Sequence, residues 1–163
     1  MSSLTIDFIE RPHVKPWLMV VNTLEPHMPF RGPRDEQYDP DGIPVNDSFL
    51  VPPDGSCLKR HRLINRVQQA QGNCGFDLTR ESEWRRCRAN YWGLCSQVDH
   101  HYGRILQALK DSGQYDDTLI VFTSDHGDMM GDHQILAKSV MYEGAVRIPF
   151  TIKLPGQSTG RVI

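Results

Sequence analysis

The sequence predicts an α/β fold in which a mostly parallel sheet is flanked by helices. Two short apolar segments, at residues 17–23 and 118–123, have the composition of buried strands, and a long helical pattern lies between them. Parallel strands need a long crossover, usually a helix, to bring the chain back to the edge where it began. We therefore expect the two strands to be parallel neighbours, with the loops that follow them at the same edge of the sheet.

The other elements are predicted from local patterns along the chain. Apolar spacing predicts a short helix over residues 4–10, and a second helix over residues 58–70. Residues 25–55 are rich in Pro, Asp and Gly and have little periodicity, which predicts a long irregular segment outside the core and a candidate substrate-facing lid. A last strand is expected at residues 147–153.

The long helix is the clearest element of the chain. It is predicted from about Thr79 to Gly113, with Thr79 or Ser82 as its N-terminal cap. Gly93 and Gly103 each weaken it by up to about 1 kcal/mol relative to alanine. An apolar stripe runs along its length: Trp84, Tyr91, Leu94, Val98, Tyr102, Ile105, Leu106 and Leu109. This stripe predicts one buried face.

Composition places the chain among ordinary globular proteins. Its 163 residues, 39% of them hydrophobic, fit one domain over residues 1–163. A net charge of −2 gives no electrostatic reason to bind nucleic acid or a membrane. The absence of a signal-peptide core and of a long apolar run predicts a cytoplasmic location without a membrane span. Without a C-x-x-C pair, the four cysteines are expected to be thiols.

The chemically most informative residues follow the strand predicted at 118–123. Asp125 and His126 come where this strand leaves the sheet, which is where open α/β folds bind ligands. A carboxylate beside an imidazole suits a divalent ion such as Mn²⁺, Mg²⁺, Zn²⁺ or Ca²⁺. Capping or core packing is the alternative for an isolated Asp-His pair. The strand end, the glycine that follows and the block of sequence around His27 upstream together favour a metal site.

Two blocks of sequence resemble a known family. The first is Lys15-Pro16-Trp17-Leu18-Met19-Val20-Val21-Asn22-Thr23, followed by Glu25-Pro26-His27-Met28-Pro29-Phe30. The second is Thr123-Ser124-Asp125-His126-Gly127-Asp128-Met129-Met130-Gly131-Asp132-His133, followed by Lys138, Tyr142-Glu143 and Arg147-Ile148-Pro149-Phe150. Together they resemble the sulfatase family of the alkaline-phosphatase-like superfamily, which includes arylsulfatases and phosphonate monoester hydrolases. The resemblance implies a partial alkaline-phosphatase-like fold.

The resemblance also implies roles for individual residues. His27 would protonate the leaving group, and Lys138 would stabilise negative charge on the bridging oxygen. Asp125 and His126 would bind the metal. Many sulfatases have Asn where His126 stands, so the histidine favours the manganese-using phosphonate and phosphodiester branch or other His-containing sulfatases. Weaker candidates for orienting a ligand are Asp128 and His133, for which a simple loop role is the alternative.

The family's nucleophile has no counterpart in this sequence. It is a cysteine, modified to formylglycine, or a serine, in a Cys-x-Pro/Ala-x-Arg segment, and none of Cys57, Cys74, Cys87 and Cys95 begins such a segment. The Asp-Asp strand end that completes the metal site is also absent, so the site in this chain is incomplete. The resemblance therefore implies an internal or C-terminal part of a catalytic domain, with a missing N-terminal segment or a homo-oligomer partner.

The expected function is part of a metal-dependent hydrolase of sulfate esters, with phosphonate or phosphate esters as the close variant. The isolated chain is expected to be inactive because it lacks the nucleophile. Two alternatives remain open at this point. One is a zinc- or manganese-dependent phosphatase or mutase of the same superfamily, and the other is a non-catalytic remnant or interaction module.

Overall fold

The computed structural model describes residues 2–53 and 75–157. Its regular elements, in chain order, are helix α1 (Ser2–Ile9), a 3-10 turn (Pro40–Gly42), helix α2 (Glu81–Asp111), strand β1 (Ile120–Thr123), the one-turn helix α3 (Glu143–Val146) and strand β2 (Phe150–Lys153). The helix predicted over residues 58–70 lies outside the described residues. Within them, no helix is long and apolar enough to cross a membrane.

Helix α2 confirms the long helix that the apolar stripe predicted. Its first turn contains Glu81 and Glu83, whose negative charge suits the positive end of the helix dipole. Gly113, at a φ of 70°, takes the left-handed conformation that commonly ends a helix. The predicted caps are wrong, because Ser82 lies inside the helix and the Thr79 hydroxyl donates to the Asp77 carboxylate instead.

The irregular segment at residues 25–53 packs on α2, so the expectation that it stays out of the core is wrong. Phe30 is 0% exposed and belongs to the main core cluster with Trp84 and Leu94 of α2. The Asn90 side chain donates to the Phe30 carbonyl at 3.0 Å. A Cβ on Gly93 would collide with the backbone carbonyl of Arg34. Gly93 therefore lets the segment approach the helix closely, and this contact offsets its low helix propensity.

The sheet of the described residues differs from the predicted one. β1 and β2 form an antiparallel pair in which Ile120 lies opposite Lys153 and Thr123 opposite Phe150. Residues 17–23 form no strand with other described residues, so the predicted parallel pairing is not confirmed. The chain between β1 and β2 turns back through a loop and one helical turn. It therefore lacks the long crossover that a parallel pair needs.

The segment at residues 17–23 is anchored at its first residue. Trp17 packs near the C-terminal end of α2, and its ring N–H donates to Gln114 at 3.1 Å. Leu18 and Val20 are 92% and 76% exposed, so the predicted burial of this strand is not confirmed among the described residues. Burying these side chains requires neighbours that the described residues do not supply.

The two described cysteines lie on α2. Cys87 is buried in the main core cluster and Cys95 is half-buried. Neither forms a disulfide with a described residue. Cys57 and Cys74 lie outside the described residues.

Candidate active site

His27 and Lys138, which lie 111 positions apart in sequence, meet in the folded chain. The Lys138 Nζ is 2.7 Å from the His27 Nε2, and the His27 Nδ1 is 2.9 Å from the Met28 carbonyl oxygen. A carbonyl oxygen only accepts, so Nδ1 carries the ring proton and Nε2 offers a lone pair. The lysine ammonium is then the donor in the contact. This assignment gives a neutral imidazole beside a positive charge.

The two residues come from different kinds of backbone. His27 is exposed in the turn between Pro26 and Pro29, whose rings restrict the backbone. Lys138 lies between Ala137 and Ser139, which have φ values of 65° and 78°. Left-handed conformations are unfavourable for residues other than glycine and persist where the surrounding structure imposes them, often at functional sites.

Asp125 and His126 begin the loop that follows β1. The His126 Nδ1 is 2.8 Å from the Gly127 carbonyl oxygen, so the ring proton is on Nδ1 and the Nε2 lone pair is available. Nε2 lies 3.5 Å from the Asp125 Oδ2, too far for a good hydrogen bond. The Asp125 and His126 side chains are 84% and 36% exposed. The Asp125 Oδ2 and the His126 Nε2 therefore both offer lone pairs, and they face each other at the surface.

This pair fits part of a metal site. Two ligand atoms at about 2.0–2.2 Å from one ion, at a near-tetrahedral angle, lie about 3.5 Å apart, the separation seen here. Burial opposes ionisation of Asp125, but hydrogen bonds from the His126 and Asp125 N–H groups and the nearby imidazole outweigh it and lower its pKa. Among the described residues, no group of three or more His, Cys, Asp or Glu side chains is placed to hold a metal. A full coordination shell needs further ligands.

Asp128 lies inward from this pair and binds backbone. Its Oδ1 accepts from the Met130 N–H at 3.1 Å and the Ala137 N–H at 2.9 Å. Burial raises its pKa, and these two N–H groups, with the charge of Lys138, counteract the shift only in part. Tyr91 and Cys95 lie near Asp128, and burial together with the Asp128 charge raises the pKa of both groups. Asp128 is thus a half-buried carboxylate inside the loop.

His133 contacts Tyr142 and the irregular segment at residues 25–53. Its ring stacks on Tyr142, with centroids 4.2 Å apart, and its backbone N–H donates to Ser48 at 2.8 Å. These contacts tie the loop to the irregular segment.

The sequence patterns did not identify two features of the site. Tyr91 and Cys95 lie on α2, where tyrosine counted only as part of the apolar stripe and cysteine as a thiol. A Cβ on Gly127 would collide with the carbonyl oxygen of Gly144, so the loop passes against α3 at a distance only glycine allows. The Gly127 N–H also donates to Ala145 at 2.8 Å. The glycine itself was visible in the sequence, but its partner was not.

Comparison with known proteins identifies the family. The model of the sulfatase family matches residues 1–162. The chain belongs to the sulfatase family. It is 34% identical to an arylsulfatase of Clostridium perfringens over 93% of its length, and 30% identical to a choline-sulfatase of Rhizobium meliloti over 90%. These matches bear out the resemblance to arylsulfatases, and the family is one of metal-dependent hydrolases.

A solved structure similar to this chain supports the fold class. A phosphonate monoester hydrolase of Agrobacterium radiobacter superposes with a TM-score of 0.72 at 30% identity, covering 95% of this chain and 32% of that one. This neighbour supports the α/β class. The arylsulfatase and choline-sulfatase are matched over only 31% and 28% of their lengths. The chain therefore spans about a third of the length of each of these relatives.

Proposed function

We propose that this chain supplies the leaving-group side and part of the metal site of a sulfatase-family hydrolase that cleaves sulfate esters. His27 and Lys138 act on the leaving oxygen, and Asp125 and His126 are metal ligands. The nucleophile and the remaining ligands lie outside residues 1–163. The contact between Lys138 Nζ and His27 Nε2 carries this proposal.

The contact supports a leaving-group role because it combines the two things that a departing oxygen needs. Negative charge develops on that oxygen as its bond breaks, and a preorganised ammonium stabilises such charge. The oxygen also needs a proton, which an imidazole in hydrogen-bond reach can supply. The tautomer adds one constraint. His27 delivers a proton from Nε2 only after solvent has protonated that atom, because a proton taken from Lys138 would leave a neutral amine in place of the stabilising ammonium.

The metal proposal rests on the paired lone pairs of Asp125 and His126. A bound divalent ion would supply Lewis acidity toward the ester oxygens or the nucleophile. The mixed oxygen and nitrogen donors favour Mn²⁺ or Zn²⁺ over Ca²⁺ and Mg²⁺. The pair fits such an ion but does not enclose it, and relatives with three times the chain length have room for the missing ligands.

We also propose that residues 1–163 are part of one catalytic domain with a larger, mostly parallel sheet. Leu18 and Val20 are exposed apolar residues, and Val121 of β1 and Phe150 of β2 are exposed as well. Exposed apolar strands are rarely left uncovered in a finished domain. Additional strands from the rest of the protein would cover these residues and give the segment at 17–23 its hydrogen-bond partners.

Phosphonate and phosphate esters are the second candidate substrates. Two observations favour them: His126 stands where many sulfatases have Asn, and the phosphonate monoester hydrolase shares the fold at a TM-score of 0.72. Sulfate and phosphoryl esters present similar tetrahedral groups, and the same charge stabilisation serves both. The ratio of kcat/KM for an aryl sulfate to kcat/KM for an aryl phosphonate, measured on the active enzyme, distinguishes the two substrate classes.

A chimera tests the proposal directly. Residues 1–163 would replace the matching third of the Clostridium perfringens arylsulfatase, which supplies the nucleophile segment. The chimera should hydrolyse an aryl sulfate. His27→Ala should lower kcat/KM by about 10²–10⁴-fold, and Lys138→Ala by about 10²–10³-fold.

The matched controls are His100→Ala and Lys110→Ala, exposed residues of the same types on α2. Their activity should equal that of the unmutated chimera. A folded, active chimera in which His27→Ala and Lys138→Ala behave like these controls would overturn the proposed roles.

A further inference from the structure

A single carboxylate closes the loop that ends at Lys138. Asp128 Oδ1 accepts from the Ala137 N–H at 2.9 Å and from the Met130 N–H at 3.1 Å. Beside it, the Met129 N–H donates to the Ala137 carbonyl at 2.8 Å. Residues 128–137 therefore form a loop whose two ends are hydrogen-bonded to each other. We call this closure, where Asp128 and Met129 meet Ala137, the neck of the loop. Lys138 is the first residue beyond it.

The body of the loop is packed and internally bonded. The Gly131 N–H donates to Ile135 at 2.9 Å, and the Asp132 N–H donates to Met129 at 2.8 Å. Its buried side chains are Met129, Met130, Ile135, Leu136 and Ala137. A loop fixed in this way has one backbone path out of the neck. The direction in which Lys138 leaves is therefore set where Asp128 binds Ala137.

Asp128 also lies close in sequence to the proposed metal ligands. Gly127 separates it from His126, and the Gly127 N–H is itself held by Ala145 at 2.8 Å. Asp128 thus connects the backbone that bears the proposed metal ligands to the backbone that bears Lys138. The Asp128 side chain therefore fixes the relative placement of both ends together with the hydrogen bond from the Met129 N–H to the Ala137 carbonyl.

We propose that Asp128 is a positioning residue that aims Lys138 at His27. The inference rests on the proposed function for its catalytic meaning, but the contact that it controls is a structural property of this chain. Asp128 does not touch the reacting atoms in this account. It acts through the Ala137 backbone, so an acceptor oxygen of the same reach should replace it. Asparagine offers such an oxygen and alanine does not.

Nuclear magnetic resonance of the His27 ring tests the inference without any activity assay. The chain, labelled with ¹⁵N in histidine, gives an Nε2 resonance that responds to the hydrogen bond from Lys138. Lys138→Met defines the position of this resonance when the bond is lost. Asp128→Ala should move the resonance to that position, and Asp128→Asn should leave it at the wild-type position.

Two further variants keep the test decisive. Asp128→Ser, whose short hydroxyl cannot bridge both N–H groups, should shift the resonance in the same direction if the alanine variant does not fold. Ile9→Ala destabilises a distant core cluster and should leave the His27 resonance unchanged, which separates positioning from a general loss of stability.

The outcomes are distinct. An Asp128→Ala resonance that stays at the wild-type position while Lys138→Met moves it would overturn the inference. So would a Lys138→Met resonance that does not move, because the contact itself would then be absent. If the chimera folds but fails to hydrolyse esters, while Asp128→Ala still moves the His27 resonance to the Lys138→Met position, the proposed function fails and the positioning role stands.

Discussion

Replacing Gly127 by alanine tests how tightly the loop of the candidate metal ligands is packed. The added Cβ would meet the Gly144 carbonyl oxygen well inside the 3.0 Å below which such contacts essentially never fall, and the Gly144 carbonyl carbon at 3.2 Å. Both atoms belong to backbone and cannot rotate away. The loop must move outward, which lengthens the 2.8 Å hydrogen bond from the Gly127 N–H to Ala145.

The expected cost follows from these two effects. Overpacking at a tight site costs about 1–3 kcal/mol, and losing the hydrogen bond costs about 1 kcal/mol. Gly127→Ala should therefore lower the free energy of unfolding by about 2–4 kcal/mol. Gly103→Ala is the matched control, because a Cβ there meets no atom within 4 Å on the exposed side of α2. That change should raise the unfolding free energy by about 1 kcal/mol.

Urea unfolding followed by circular dichroism measures both variants on the same chain. The two substitutions add the same methyl group. The opposite signs of the two changes in unfolding free energy therefore come from the surroundings of each glycine. Equal effects of Gly127→Ala and Gly103→Ala would refute the close approach of the loop to α3.

Three further predictions concern activity, metal and a thiol. Residues 1–163 alone should hydrolyse aryl sulfates and phosphonates no faster than buffer, and metal-dependent turnover lost in Asp125→Ala would contradict this. Calorimetry should show Mn²⁺ or Zn²⁺ binding at micromolar affinity or weaker, about 8 kcal/mol or less, that weakens further in Asp125→Ala; nanomolar binding would mean a complete site. Burial raises the pKa of Cys95, so the unfolded chain forms the thiolate more readily. With the other cysteines replaced by serine, alkylation of Cys95 should begin at higher pH in the folded chain than in urea, and identical pH profiles would contradict its burial.

The sequence predicted those parts of the fold that depend on neighbouring residues. Helix α2 was predicted within two residues at each end because its apolar stripe and Gly113 act locally. Strand pairing depends on distant partners, so the sequence located β1 but the parallel neighbour predicted for it is not confirmed among the described residues. The segment at 17–23 has the composition of a strand, but a strand needs hydrogen-bond partners that this chain does not provide among its described residues.

The candidate site shows the same division. The residues were proposed from a family resemblance, and no local pattern joins His27 to Lys138 across 111 positions. The left-handed backbone around Lys138 was also unpredictable, because Ala137 and Ser139 are not residues that favour it. The two bonds that Asp128 makes to the loop backbone depend on that same local path.

The dependence of rate on the leaving group tests the central claim most directly. The chimera, His27→Ala and Lys138→Ala would be assayed with aryl sulfates whose phenols span a range of acidity, and log kcat/KM would be plotted against leaving-group pKa. If the two residues protonate and stabilise the leaving oxygen, the variants should lose most activity with the least acidic phenols, and their plots should be steeper. Parallel plots, with the same loss for every phenol, would contradict the account.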